Sequence, residues 1–120
     1  SLAPALFAKA GVSPDEVRVA ELYDAFTPMV LIALESYGFC GKGESGDFVA
    51  SGALRLGGRL PFNTAGGSLS EAYVHGLNLV VQAVRQVRGD AFNQVPDADV
   101  AFVGGGPGVA PTSAMLLGRC

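Results

Sequence analysis

The sequence predicts a single α/β domain, on three observations. Short apolar runs of strand character alternate with segments whose apolar residues recur near helical spacing. Glycine, 17 of 120 residues, punctuates those segments at their ends. The chain is 49% hydrophobic and only 16% charged, a composition that builds a core and excludes a disordered tail. One hundred and twenty residues hold one domain, large enough to bury about two-thirds of its unfolded surface.

The elements follow in order. Pro4 through Ala10 reads as a short helix, with proline in its first turn and Gly11 as its stop. Ser13-Pro14-Asp15-Glu16 has capping-box spacing and opens at most one more turn. Val17, Val19 and Glu21-Leu22 predict a strand, with Tyr23 at or just beyond its end. Thr27-Pro28 starts a helix that carries Met29 through Ser36 to a stop at Gly38. It is apolar on nearly every side, which predicts burial all round. From Gly38 to Leu60 seven glycines predict loop, with little regular structure. Leu60 to Asn63 reads as a short strand running into Gly66-Gly67. A second long helix is expected from Tyr73 to Val87, with Leu77, Val80, Val81, Val84 and Val87 as its apolar residues and Arg85 and Arg88 in the last turn. Beyond the turn at Pro96-Asp97, Ala98–Val103 and Ser113–Leu117 read as two strands joined by Gly104-Gly105-Gly106-Pro107-Gly108.

Several functions fall away on composition. Eight basic against eleven acidic side chains give a net charge of −3, which offers nucleic-acid phosphates no attraction. Cys40 and Cys120 make no disulfide framework, and one histidine with two distant cysteines makes no metal site. The longest apolar run, Phe26 to Leu34, is interrupted by Thr27 and Pro28 and is too short to span a membrane. No signal peptide is evident, so the default is a reduced, cytoplasmic protein. The chain begins at Ser1, not methionine, as a processed or excised piece would. A mean hydropathy of +0.36 is high for one small globule and implies apolar surface that needs cover.

The motifs give less chemistry than their glycines promise. Gly41 to Gly46 spells G-x-G-x-x-G, but a helix precedes it where the dinucleotide fingerprint needs a strand, so it reads as an ordinary loop. Gly104 to Gly108 reads equally as a tight connection and as a loop whose backbone approaches a ligand. His75 alone is more often a packed residue than a base. Glu71 and Asp24 are plausible carboxylates that no spacing pairs, and Tyr23 and Tyr73 read as amphipathic core residues.

Taken together, three stretches resemble the C-terminal half of the thiolase superfamily. Glu21-Leu22-Tyr23-Asp24-Ala25-Phe26 resembles its Asn-Glu-Ala-Phe motif. Asn63 through Gly76, which includes Gly66-Gly67 and Ser70-Glu71-Ala72-Tyr73-Val74-His75-Gly76, resembles its Gly-Gly…Gly-His-Pro-x-Gly motif. Phe102 through Gly108 resembles its closing Cys-x-Gly-Gly-Gly-x-Gly loop. The departures carry as much information. Tyr23 stands where the family has the asparagine, Tyr73 where it has the histidine, and Phe102 where it has the acid/base cysteine. Thiol-dependent Claisen chemistry needs an acid/base at that last position, which phenylalanine cannot supply.

The pattern is most similar to the lipid-transfer-protein-type aldolases that shorten steroid side chains. That resemblance implies that residues 1–120 are a thiolase-like C-terminal domain, with a mixed β-sheet packed by helices and no N-terminal half. It implies retro-aldol cleavage of a β-hydroxyacyl-CoA, with Tyr23 and Tyr73 as acid and base, His75 or Glu71 assisting, and Gly66, Gly67, Gly104, Gly105 and Gly106 contacting substrate. The coenzyme A thioester would be substrate, with no permanently bound cofactor. The expected partners are the missing N-terminal half, a second copy and an OB-fold acyl-CoA-binding subunit. Two alternatives stand beside this reading: a sterol-carrier-type acyltransferase, whose cysteine lies in the other half, and a non-catalytic acyl-CoA-binding subunit. The fragment alone is expected to be inactive and poorly soluble.

Overall fold

The computed structural model describes residues 2–72, 74–106 and 112–119. Helix α1 spans Ala3–Ala10 and ends where Gly11 turns left-handed, at φ 65°. The N–H groups of Gly11 and Val12 return to the Ala8 and Phe7 carbonyls, closing the helix. In the one-turn 3-10 segment Pro14–Glu16, the Glu16 carboxylate accepts from the Ser13 N–H and hydroxyl at 2.7 and 2.9 Å. Strand β1, Val19–Leu22, follows and is buried at every residue.

Helix α2 spans Thr27–Tyr37 and stops at Gly38, whose φ is 83°. The expectation of burial on every side does not hold. Only Val30 and Leu34 are buried, while Ile32 is 54% exposed and Phe26, at the helix entrance, is 72% exposed. Among the described residues one face of α2 packs on the core and the face carrying Ile32 stays uncovered.

The glycine-rich stretch is more regular than expected. Helix α3, Ser45–Ala50, forms there, fastened to α2 because the Glu35 carboxylate accepts from the Ser45 hydroxyl at 2.6 Å. The G-x-G-x-x-G sequence follows α2 with no strand directly before it, and its last two residues, Ser45 and Gly46, open α3. A short helix α4, Gly67–Ser70, then leads to the long helix α5, Leu77–Arg88. Helix α5 begins four residues later than the pattern predicts, after left-handed Gly76. Its buried stripe is also different. Leu79, Gln82, Ala83 and Gln86 face inward, and Leu77 and Val81 face out. A count of apolar residues misses this, because two glutamines sit inside with their amides satisfied.

Strands β2, Val100–Gly105, and β3, Ser113–Gly118, complete a sheet of order β1-β2-β3. β1 runs parallel to β2, and β3 runs antiparallel to it, so the sheet is mixed as expected. The expected strand at Leu60–Asn63 amounts to one parallel bridge, Ala20 to Phe62. Pro61 has no N–H to offer a ladder, and the segment pairs through other groups. Its carbonyl accepts from Ala20 N–H at 2.9 Å, and Asn63 N–H donates to the Ala20 carbonyl at 3.0 Å. Two residues further along β1, at Leu22, the Asn63 side chain replaces the backbone. Its Oδ1 accepts from Leu22 N–H at 2.8 Å and its Nδ2 donates to the Leu22 carbonyl at 2.9 Å.

Strand alternation divides the core into two layers. Ala20, Leu22 and Phe102 face α1 and α2, where Phe7, Val30, Leu34, Phe39 and Leu60 join them. Val19, Ala101 and Val103 face α5, against Leu79, Ala83, Val95 and Ala98. β1 and β2 are thus covered on both faces, and only β3, at the sheet edge, stays half exposed.

Candidate active site

The site is built where β1 and β2 end side by side. Tyr23 directly follows β1, and its N–H donates to the Gly104 carbonyl at 2.8 Å, which ties it to the glycine run. Its half-buried ring lies beside Gly76, where an added Cβ would sit 3.5 Å from Tyr23 Cδ2. Tyr23, Gly104, Gly106, Tyr37, Met29 and Ile32 are among the residues lining a cleft of about 110 Å³. His75, exposed and in the left-handed region at φ 52°, lines a second, larger and more open recess of about 310 Å³ with Gly105, Gly106, Ser113 and Met115. Gly106 belongs to both. Tyr23 and His75 therefore approach one glycine from two sides. Tyr73 lies outside the described residues, as do Pro107, Gly108 and Cys120.

The predicted glycines divide by role. Gly104 and Gly105 are not loop but the last two residues of β2, and Gly106, at φ 111°, is the first past the ladder. Gly66 and Gly67 line neither recess. At Gly67 a Cβ would collide with the Asp24 carboxylate and lie 2.6 Å from Asn63 Nδ2. This pair shapes the turn that brings Ser68 N–H to Asp24 Oδ1, at 2.7 Å. Asp24 is buried, and its visible work is to hold that turn. Phe102, in place of the family's cysteine, is fully buried among Phe7, Tyr37 and Phe39, with ring centroids at 5.7, 4.8 and 5.2 Å.

Beneath Tyr23 lies a polar cluster that the sequence reading did not single out. Glu21 is fully buried, and its Oε1 accepts from the Thr64 hydroxyl and N–H at 2.7 and 3.2 Å. Thr64 Oγ1 accepts in turn from Gln82 Nε2 at 2.7 Å and Gln86 Nε2 at 2.9 Å. The other Glu21 oxygen, Oε2, has no hydrogen-bond partner among the described residues. Burial pushes the Glu21 carboxyl from 4.5 up to about 7, against the lowering effect of Thr64 and with help from the Glu71 and Asp24 charges. The available signal was a lone carboxylate inside an otherwise apolar strand.

A folded-state value above the unfolded one means that the folded chain keeps a proton the unfolded chain releases. Glu21 thus contributes stability that is complete below pH 4.5 and lost as pH rises through about 7. The full span is at most about 3 kcal/mol. Glu21→Gln keeps an oxygen for Thr64 and removes the titration. Denaturation midpoints at pH 5 and pH 8 should therefore converge in that variant. An undiminished difference would show that another group titrates.

Among the described residues no group of histidine, cysteine and carboxylate side chains is arranged to hold a metal ion, and no helix is long and apolar enough to cross a membrane. Cys40 is a free, half-buried thiol whose proton affinity is raised chiefly by burial.

A mixed sheet with helices on both faces, and a tyrosine beside a glycine-ended central strand, defines a thiolase-like α/β unit. Comparison with known families agrees: the model described as "Thiolase C-terminal domain-like" matches residues 2–119. The chain belongs to that family. It is 53% identical over 113 residues to the 17-hydroxy-3-oxo-4-pregnene-20-carboxyl-CoA lyase of Mycobacterium tuberculosis, covering 94% of this chain and 29% of that protein. It is 52% identical over 113 residues to the steroid side-chain-cleaving aldolase of Thermomonospora curvata, with the same coverage of each. Among solved structures, the Ltp2-ChsH2(DUF35) aldolase superposes with a TM-score of 0.94 at 47% identity, over 98% of this chain and 31% of that one. The chain thus spans less than a third of the length of these relatives.

Proposed function

We propose that this chain is the C-terminal domain of an aldolase that cleaves a carbon–carbon bond in a β-hydroxyacyl-CoA of the steroid side-chain type. The observation that carries the reading is Tyr23, held at the end of β1 by the Gly104 carbonyl and opening into the cleft beside Gly106. Its resemblance to steroid side-chain-cleaving relatives over nearly the whole chain supports the same class.

In this reaction a base takes the β-hydroxyl proton, and that oxygen becomes a ketone carbonyl. The electrons of the breaking bond pass to the α-carbon and the thioester oxygen, and an acid then protonates the α-carbon. Tyr23 and Tyr73 divide those two roles, with His75 or Glu71 lowering the cost of the phenolate. An ordinary tyrosine hydroxyl holds its proton to about pH 10, so the base needs such a neighbour. Backbone N–H groups at the end of the glycine run stabilise the thioester oxyanion, and Gly106 is best placed because it has left the ladder. Thiolase-type transfer instead requires an acid/base at position 102, where the structure has a buried phenyl ring.

Small-molecule sites usually enclose about 300–1,000 Å³. The cleft holds about 110 Å³ and the adjoining recess, about 310 Å³, lies open on one side, which supports a site completed by the rest of the enzyme, described by the resemblance as an N-terminal half, a second copy and an OB-fold acyl-CoA-binding subunit. The test is to incubate the complete enzyme with a steroid β-hydroxyacyl-CoA and to separate the products. A ketone and a shortened acyl-CoA, released without free coenzyme A, are expected. Cleavage that consumes free coenzyme A would establish the transferase instead, and binding without turnover the non-catalytic subunit.

A further inference from the structure

The cleft has a second tyrosine in its wall. Tyr37 is the last residue of α2, and its ring lies across the end of β2. A Cβ at Gly104 would lie 2.7 Å from Tyr37 Cε2 and 3.2 Å from Cζ, the carbon that carries the hydroxyl. Glycine leaves room for the ring there, and the hydroxyl-bearing carbon packs against the glycine run itself. Phe102 fixes the ring from within the core, with centroids 4.8 Å apart and planes tilted by 56°. The same cleft holds Tyr23 and Gly106. Leu2, Met29, Ile32 and Ala33 make the larger part of the remaining wall apolar, with Ser36 and Thr112 as its polar members.

The Tyr37 hydroxyl is half withdrawn from water, and this burial alone raises its proton affinity above the ordinary tyrosine value. It therefore remains a neutral O–H donor throughout the neutral range and is a poor base. A donor of this kind, in a mostly apolar cleft, is worth most where negative charge develops on an oxygen.

We propose that the Tyr37 hydroxyl is a catalytic hydrogen-bond donor to the thioester oxygen of the acyl-CoA substrate, acting beside the Gly106 N–H as that oxygen gains charge. This rests on the aldolase reading above, and it assigns Tyr37 a role separate from the proton transfers of Tyr23 and Tyr73. The glycine at position 104 then has two uses: its carbonyl anchors Tyr23, and its missing side chain admits Tyr37.

The experiment is Tyr37→Phe in the complete enzyme, assayed for cleavage of a steroid β-hydroxyacyl-CoA across pH. Phenylalanine keeps the ring contact with Phe102, so the thermal midpoint should stay within about 2 °C of the parent. The expected result is a kcat lowered by about 10- to 100-fold, with KM within about threefold and both limbs of the pH profile in place. An unchanged kcat overturns the proposal and leaves Tyr37 a packing residue. A lost pH limb also overturns it, by making Tyr37 itself the acid or base. A fall in kcat accompanied by a midpoint drop beyond about 5 °C overturns it too, as a structural effect. A parent enzyme without cleavage activity would instead remove the aldolase reading beneath it.

Discussion

Tyr23→Phe should lower kcat for carbon–carbon cleavage in the complete enzyme by about 10²- to 10⁴-fold, the usual contribution of a positioned acid or base. The substitution removes one oxygen and little else. The ring contact at Gly76 remains, and so does the backbone hydrogen bond to Gly104, because neither involves the hydroxyl. Folding should therefore be unaffected while turnover collapses. The same substitution at Tyr73 should have a comparable effect. The pH profiles then separate the roles, since loss of the base removes the limb at low pH and loss of the acid the limb at high pH. Near-parental turnover in both variants would eliminate the tyrosine mechanism.

The largest expected effect on stability is at Phe102. Phe102→Ala should destabilise the protein by about 3–5 kcal/mol, because it opens a ring-sized hole in the core. Phe7, Tyr37 and Phe39 all pack on this one ring, from three directions. Chemical denaturation of the complete protein measures the loss, and a cost below about 1 kcal/mol would mean that this cluster is not the centre of the α1–α2 layer. Phe102→Cys, which restores the thiolase residue, should also destabilise and should confer no thiolytic activity. A thiol placed there replaces buried aromatic packing and lies in the core instead of facing a substrate.

Phe102 shows how much of the site was legible. Its identity alone removed thiolase chemistry, since no placement turns a phenyl ring into an acid. Its place at the centre of an aromatic cluster was not legible, because Phe7, Phe39 and Tyr37 arrive from distant segments. Tyr23 and the glycine run were found by motif, and the structure does bring them together. Gly66 and Gly67 were assigned to the substrate by the same motif. The structure gives them a turn over Asn63 and Asp24, away from both recesses. Tyr37 carries no motif. It matters only because α2 delivers it to Gly104, 67 positions later in the chain.

What the sequence determined by itself is the local grammar. Proline-led helix starts, left-handed glycine stops at Gly11 and Gly38, and the apolar strands are properties of neighbours a few residues apart. Those signals placed most of the elements, and the order of three motifs identified the family. Burial was left to the tertiary structure. Gln82 and Gln86 turn inward because Thr64 and the loop after α5 meet their amides, whereas Ile32 and Leu77 stay outside because no partner among the described residues covers them. Glu21 is buried by a threonine 43 positions away, and the end of β1 is completed by an asparagine side chain 41 positions away. A polar group can be withdrawn from water only where a partner is waiting, and the partners here come together only when the chain folds.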